Sequence, residues 1–213
     1  MGTLLGGRVS RNIKENIGVY FIIILFFSIG LAIGGFAIKS LGGADKEELL
    51  AYMNSFFKLY SGEKISGLSI FLQSAKNNFF SILIIWVLSL TIIGVPIILI
   101  VVGFRGFVLG FSIGFFIEGM GLKGFVFSLI GVIPQNIVYI PCIFLSAALG
   151  LTFSISVLRG RKSKGFYNQK SNNVISYGII IGIIFLVSLI GSVTEGFITP
   201  VIIKILSNYF VIV

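Results

Sequence analysis

Between Lys76 and Arg159 the chain runs for 82 residues with only three charges, Arg105, Glu118 and Lys123. A water-soluble domain of that size needs a solvated outer face, and this stretch has no side chains to build one. Hydrocarbon is the solvent that suits it, so the sequence describes an integral membrane protein.

Of the 213 residues, 56% are hydrophobic and 11% charged, against roughly 25% charged in ordinary globular chains. The mean hydropathy is +1.09. One membrane domain spanning 1–213 is expected. The net charge of +9 comes from basic residues that flank apolar runs, so anionic lipid headgroups, and not nucleic acid, are the expected counter-charge. Histidine is absent, Cys142 is the only cysteine and Asp45 the only aspartate. That inventory removes His-based zinc sites, Ser–His and Cys–His nucleophile pairs, intrachain disulfides and an intramembrane aspartyl pair. The chain reads as a non-enzyme that needs no cofactor, with Cys142 as a small core side chain.

The expected fold is all-α, a polytopic transmembrane bundle of about five spans. Arg8, Arg11 and Lys14 precede an apolar run at 17–38, read as an uncleaved first span with a cytoplasmic amino terminus. Residues 39–77 form the one sizeable polar segment. Within it, Asp45 and Glu48 have capping-box spacing, and Leu49, Tyr52, Met53, Phe56, Phe57 and Tyr60 share one helical face. This amphipathic segment is expected on the outer side, either as a docking surface for an extracytoplasmic partner or as an interfacial anchor. The second span is expected at 79–102, kinked at Pro96, with Arg105 marking a cytoplasmic turn. A third span at 106–120 carries Gly106, Gly110 and Gly114 at four-residue spacing, a smooth groove that suits close helix packing. The partner is another helix of the same chain or, in a homo-oligomer, of a second copy.

Residues 124–158 are charge-free and too long for one straight span, since 35 helical residues would reach about 52 Å. A broken or re-entrant helix is expected, with its joint at Pro134, Gln135 and Asn136. These amides either bond neighbouring helices or line a polar cavity. Arg159, Arg161, Lys162, Lys164 and Lys170 follow with no acid among them, which places the loop 159–172 in the cytoplasm. A last span at 174–194 leads to Glu195, Thr199 and Pro200 and an apolar tail outside. Glu118 and Glu195 are expected near outer span ends, as a proton or cation site or as boundary residues pairing with Lys123 or Lys204.

Three blocks together carry a resemblance. They are Asn78 through Gly110 with the core Val102–Gly–Phe–Arg–Gly–Phe–Val–Leu–Gly110, then Ile133–Pro–Gln–Asn–Ile–Val–Tyr–Ile–Pro141, and Glu195–Gly–Phe–Ile–Thr–Pro200. In order and spacing the chain resembles the stage II sporulation protein M family, multi-pass membrane proteins of endospore-forming bacteria. The wider family often has Pro-His-Gly with a downstream Glu where this chain has Pro134–Gln135–Asn136 and Tyr139, so no role of that His and Glu carries over. The resemblance implies a scaffold that anchors peptidoglycan-degrading partners, stage II sporulation proteins D and P, during engulfment at the sporulation septum. Arg105, Glu195, Thr199 and Pro200 are its motif positions. The competing reading from the residues is a small permease or channel subunit, since broken helices with polar joints are transporter geometry.

Overall fold

The computed structural model describes residues 16–43, 45, 47–49, 51, 52, 55, 66–91, 93–160 and 167–210. The described residues are helical apart from short turns. The helices are α1 (Ile17–Ala37, extended by a 3-10 turn at Ile38–Ser40), α2 (Gly67–Ser89), α3 (Gly94–Met120), α4 (Leu122–Gly131), α5 (Ile133–Gly160), α6 (Tyr167–Val193) and α7 (Thr199–Phe210). A single π turn, Thr194–Ile198, joins the last two. Five segments are long and apolar enough to cross a membrane: Ile17–Ser40, Gly67–Ser89, Gly94–Met120, Ile133–Ile155 and Tyr177–Lys204. The fold is an all-α polytopic bundle.

Prolines explain where the helices begin. Pro96, Pro134 and Pro200 occupy the first turn of α3, α5 and α7, where backbone N–H groups lack intrahelical acceptors and a missing donor costs nothing. The expected kink at Pro96 inside a span at 79–102 is therefore replaced by a helix end at Ser89 and a new helix start at Gly94. There Ser89 and Thr91 hydroxyls donate to the carbonyls of Trp86 and Leu88 at 2.6 and 2.9 Å. Consequently α2 starts at Gly67, inside the segment expected to lie on the surface. Arg105 lies in the middle of the 27-residue α3 and does not mark a turn. The joint expected at Pro134 falls at Val132, and only Pro141 sits within a helix interior. Gly121, at φ +61° and ψ −135°, makes the reversal from α3 into α4, a backbone region closed to other residues.

The tightest association is α1 against α3, which run parallel. A Cβ on Gly30 or Gly34 would collide with the Gly103 or Phe107 carbonyl, and one on Gly106 or Gly110 with the Phe27 or Leu31 carbonyl. Gly114 lies against Gly35 and Ile38 farther along the same seam. The three glycines singled out from the sequence thus face α1 of the same chain. Around this pair Ile23, Ile85, Ile98, Val102, Ile143, Ala147 and Leu151 form one buried core. Ile82, Cys142, Tyr177, Ile181 and Ile184 form a second. Outward, α6 presents Ile179, Ile183, Leu186 and Ile190 at helical spacing, all exposed, as a lipid-facing stripe would be.

The chain ends of the helices fall at two ends of the bundle. Ser154 donates to the Thr91 carbonyl at 2.7 Å, which puts the finish of α5 beside the α2–α3 turn. Gly67 meets Gly196 at the other end, where a Cβ on either would stand 2.7–2.8 Å from the other's carbonyl oxygen. Arg161, Lys162 and Lys164 lie outside the described residues, as do Arg8, Arg11 and Lys14.

Replacing Gly110 with Leu is expected to force α1 and α3 apart and cost about 1–3 kcal/mol or more. Thermal unfolding in detergent checks this against Gly18→Leu, a position with nothing within 4 Å, which is expected to melt like the wild type.

Candidate functional site: a polar cavity in the bundle

Segments far apart in sequence converge on one hollow of about 350 Å3 between α2, α3, α5 and the π turn. Its polar lining is Ser74, Asn77, Asn78, Arg105, Ser112, Gln135, Asn136, Tyr139, Glu195 and Thr199. The joint residues Gln135 and Asn136 therefore share a site with Arg105, Glu195 and Thr199, while Pro134 and Pro200 start the helices that deliver them. Glu118 stands apart, bordering a smaller hollow with Lys39 and Gly114.

Backbone bookkeeping fixes the amides. The break at Val132 leaves the last carbonyls of α4 without amide donors, and Pro134 has none to give. Gln135 Nε2 donates to Gly131 O at 2.8 Å and Asn136 Nδ2 to Val132 O at 2.7 Å. Asn78 Nδ2 likewise donates to Ser74 O at 3.0 Å. Gln135 also reaches across helices, its Oε1 accepting from the Thr199 hydroxyl at 3.5 Å.

Glu195 owes its position to the π turn. Pro200 cannot donate to the preceding turn, and the Thr199 amide bonds the Thr194 carbonyl, five residues back. The extra residue swings Glu195 toward α5, where Tyr139 donates to its Oε2 at 2.9 Å; the same hydroxyl lies 3.1 Å from Ser192 Oγ. Gly191 makes room, because a Cβ there would press into the Tyr139 ring. Tyr139 and Ser192 are buried and Glu195 is partly so. The carboxylate, expected just past a span ending at 194, sits in the π turn inside the longer apolar segment Tyr177–Lys204.

From the opposite wall, Arg105 Nη2 donates to Ser81 Oγ and, at 3.3 Å, to the Asn77 carbonyl of α2. Arg105 and Glu195 both line the hollow, but among the described residues the two form no direct ion pair. On the α2–α3 side Asn77 and Val108 are exposed, so the cavity opens laterally there. The site pairs one cation and one anion with hydroxyls and amides, which suits binding. Among the described residues no cluster of three His, Cys, Asp or Glu side chains converges as metal ligands.

Sequence reasoning passed over Asn77, Ser81, Ser192 and Gly191, and met Asn78 only as the start of a motif block. A usable signal was the Asn77–Asn78 pair directly before the apolar run that starts at Phe79. Of the proposed partner surface, Leu49 is half-buried and lines a separate hollow with Tyr52, whereas Met53, Phe56, Phe57 and Tyr60 lie outside the described residues.

The family model described as Stage II sporulation protein M matches residues 23–200, a range that takes in all of the cavity's polar lining. Searches of curated proteins and of solved structures find no match.

Tyr139→Phe removes the hydroxyl that joins Glu195 to α5. It is expected to destabilise the protein by about 1–3 kcal/mol, the cost of leaving a buried polar partner unsatisfied. Denaturant unfolding measures this, with Tyr52→Phe, at a side chain 71% exposed, expected to be neutral.

Proposed function

Because the chain belongs to the stage II sporulation protein M family and is a multi-pass helical membrane protein, we propose that it is a non-enzymatic scaffold for sporulation. In this reading it anchors and localises peptidoglycan-degrading enzymes while the mother-cell membrane engulfs the forespore. The partners are stage II sporulation proteins D and P, and the site of action is the sporulation septum and the engulfing membrane.

One observation carries the reading. The described residues of the stretch Leu41–Tyr52 lean on the end of α3 and leave a hollow of about 620 Å3, lined by Leu41, Leu49, Tyr52, Phe111, Phe115 and Phe116 with Asp45 and Glu48 at its edge. Aromatic side chains with a polar rim are what a protein partner anchors on. This hollow lies at the bundle end opposite the connection between α5 and α6, which carries Arg161, Lys162 and Lys164. Basic loops stay in the cytoplasm, so the hollow faces the wall, where the hydrolases act. The amino terminus is then cytoplasmic and the carboxyl terminus outside. Holding a wall-cutting pair at the membrane raises its local concentration without any new chemistry.

A second reading, a small permease or channel subunit, draws on the polar cavity, because charged groups within spans mark substrate or ion paths. Cysteine placed at Gln135 or Asn136 separates the two. Labelling by a water-soluble reagent from both faces of the membrane favours transport, and labelling from neither favours the scaffold.

Deleting residues 45–60 from the full chain in sporulating cells is expected to leave membrane insertion intact. Wall hydrolases recovered by pull-down should then fall at least about tenfold. Undiminished recovery with normal insertion contradicts docking at this segment.

A further inference from the structure

The cavity has a donor wall and an acceptor wall, and they lie on different helices. On α3, Arg105 lines the hollow and uses Nη2 in its hydrogen bonds among the described residues, so Nη1 and Nε keep donor capacity. Across from it, Glu195 receives one hydrogen bond, from Tyr139, on Oε2. The amides supply the rest of the acceptor wall. The NH2 groups of Asn78, Gln135 and Asn136 are each fixed on a helical carbonyl. An amide oxygen cannot make that bond, so in each amide the nitrogen is committed to the helix and the oxygen is the group left to accept; that of Gln135 also takes the Thr199 hydroxyl at 3.5 Å. A bare cation in the hollow would meet Arg105, and a bare anion would meet Glu195. Two opposite charges held apart in a membrane span are poorly stabilised unless something polar bridges them.

We propose that this cavity binds a zwitterion, with its primary ammonium on Glu195 and the amide oxygens and its anionic oxygens on the Arg105 guanidinium. A hollow of about 350 Å3 is at the small end of ligand pockets, sized for a headgroup and not for a whole lipid. The lateral opening beside Asn77 is bordered by Ile70, Val108 and Leu109, an apolar exit suited to an attached acyl chain. Two sources carry this chemistry: the headgroup of a zwitterionic phospholipid with a primary amine, or a free amino-acid-like molecule. The inference is independent of the scaffold reading, because it concerns the isolated chain.

The test uses the purified full-length chain in detergent with equal amounts of phosphatidylethanolamine, phosphatidylcholine and phosphatidylglycerol, scored by lipid retained in native mass spectrometry. Soluble phosphoethanolamine is scored in parallel by the melting temperature. A lipid ligand predicts phosphatidylethanolamine retained about tenfold over the other two, the worth of one charge-assisted hydrogen bond. The choline headgroup lacks a donor proton and the glycerol headgroup lacks the cation. A soluble ligand predicts a raised melting temperature with phosphoethanolamine and no lipid preference. In the lipid case Glu195→Gln should erase the preference over phosphatidylglycerol, and Arg105→Gln should weaken both. Equal retention of all three lipids with no response to phosphoethanolamine overturns the proposal. So does a preference for phosphatidylglycerol, which would mark a simple anion site. The decisive comparison is among ligands of the wild type, so a variant that fails to fold does not decide the outcome.

Discussion

The approach of α1 to α3 sets the geometry of everything else. In lipid no hydrophobic force drives two apolar helices together, so contact depends on how closely their backbones can pack. Glycines on both sides of the seam, Gly30 and Gly34 against Gly106 and Gly110, let carbonyls lie where any side chain would collide. With that face of α3 committed to α1, Arg105 is directed to the other side, toward Asn77 and Ser81 of α2. The same contact that joins the helices therefore delivers the cation to the cavity.

The cavity in turn rests on interruptions of helical regularity. A turn at Val132, prolines at the starts of α5 and α7, and a π turn at Thr194–Ile198 each free backbone or side-chain polar groups within the apolar bundle. Hydrocarbon tolerates these only where protein or water satisfies them. Here amides cap the freed carbonyls and Tyr139 ties the π turn to α5. Helical irregularities of this kind concentrate where a protein binds or acts, and all three of the motif blocks contribute to this one hollow.

The helical class and the presence of five apolar runs were legible because length and hydropathy alone decide them. The boundaries were less so: Pro96 was read as a kink within a span and Pro134 as an irregular joint, whereas both stand in the first turn of a helix. α2 was missed at its start because Ser74 and Asn78 turn inward, which makes a spanning helix look like a polar surface one. Half of the glycine seam was legible, in Gly106, Gly110 and Gly114; the Gly30–Gly34 pair that completes it was passed over. Gln135 and Asn136 were recognised as polar at membrane depth. Their grouping with Arg105 and Glu195 was not, because it depends on how α2, α3, α5 and α6 are arranged side by side.

The central claim is that Arg105 and Glu195 act on each other through a shared polar cavity. A double-mutant cycle in the purified protein, with Arg105→Gln, Glu195→Gln and the pair, tests it most directly. Charges coupled across the cavity predict a double variant that loses less stability than the two single losses combined, by about 1 kcal/mol or more. Additive losses would mean that the two side chains do not share a site.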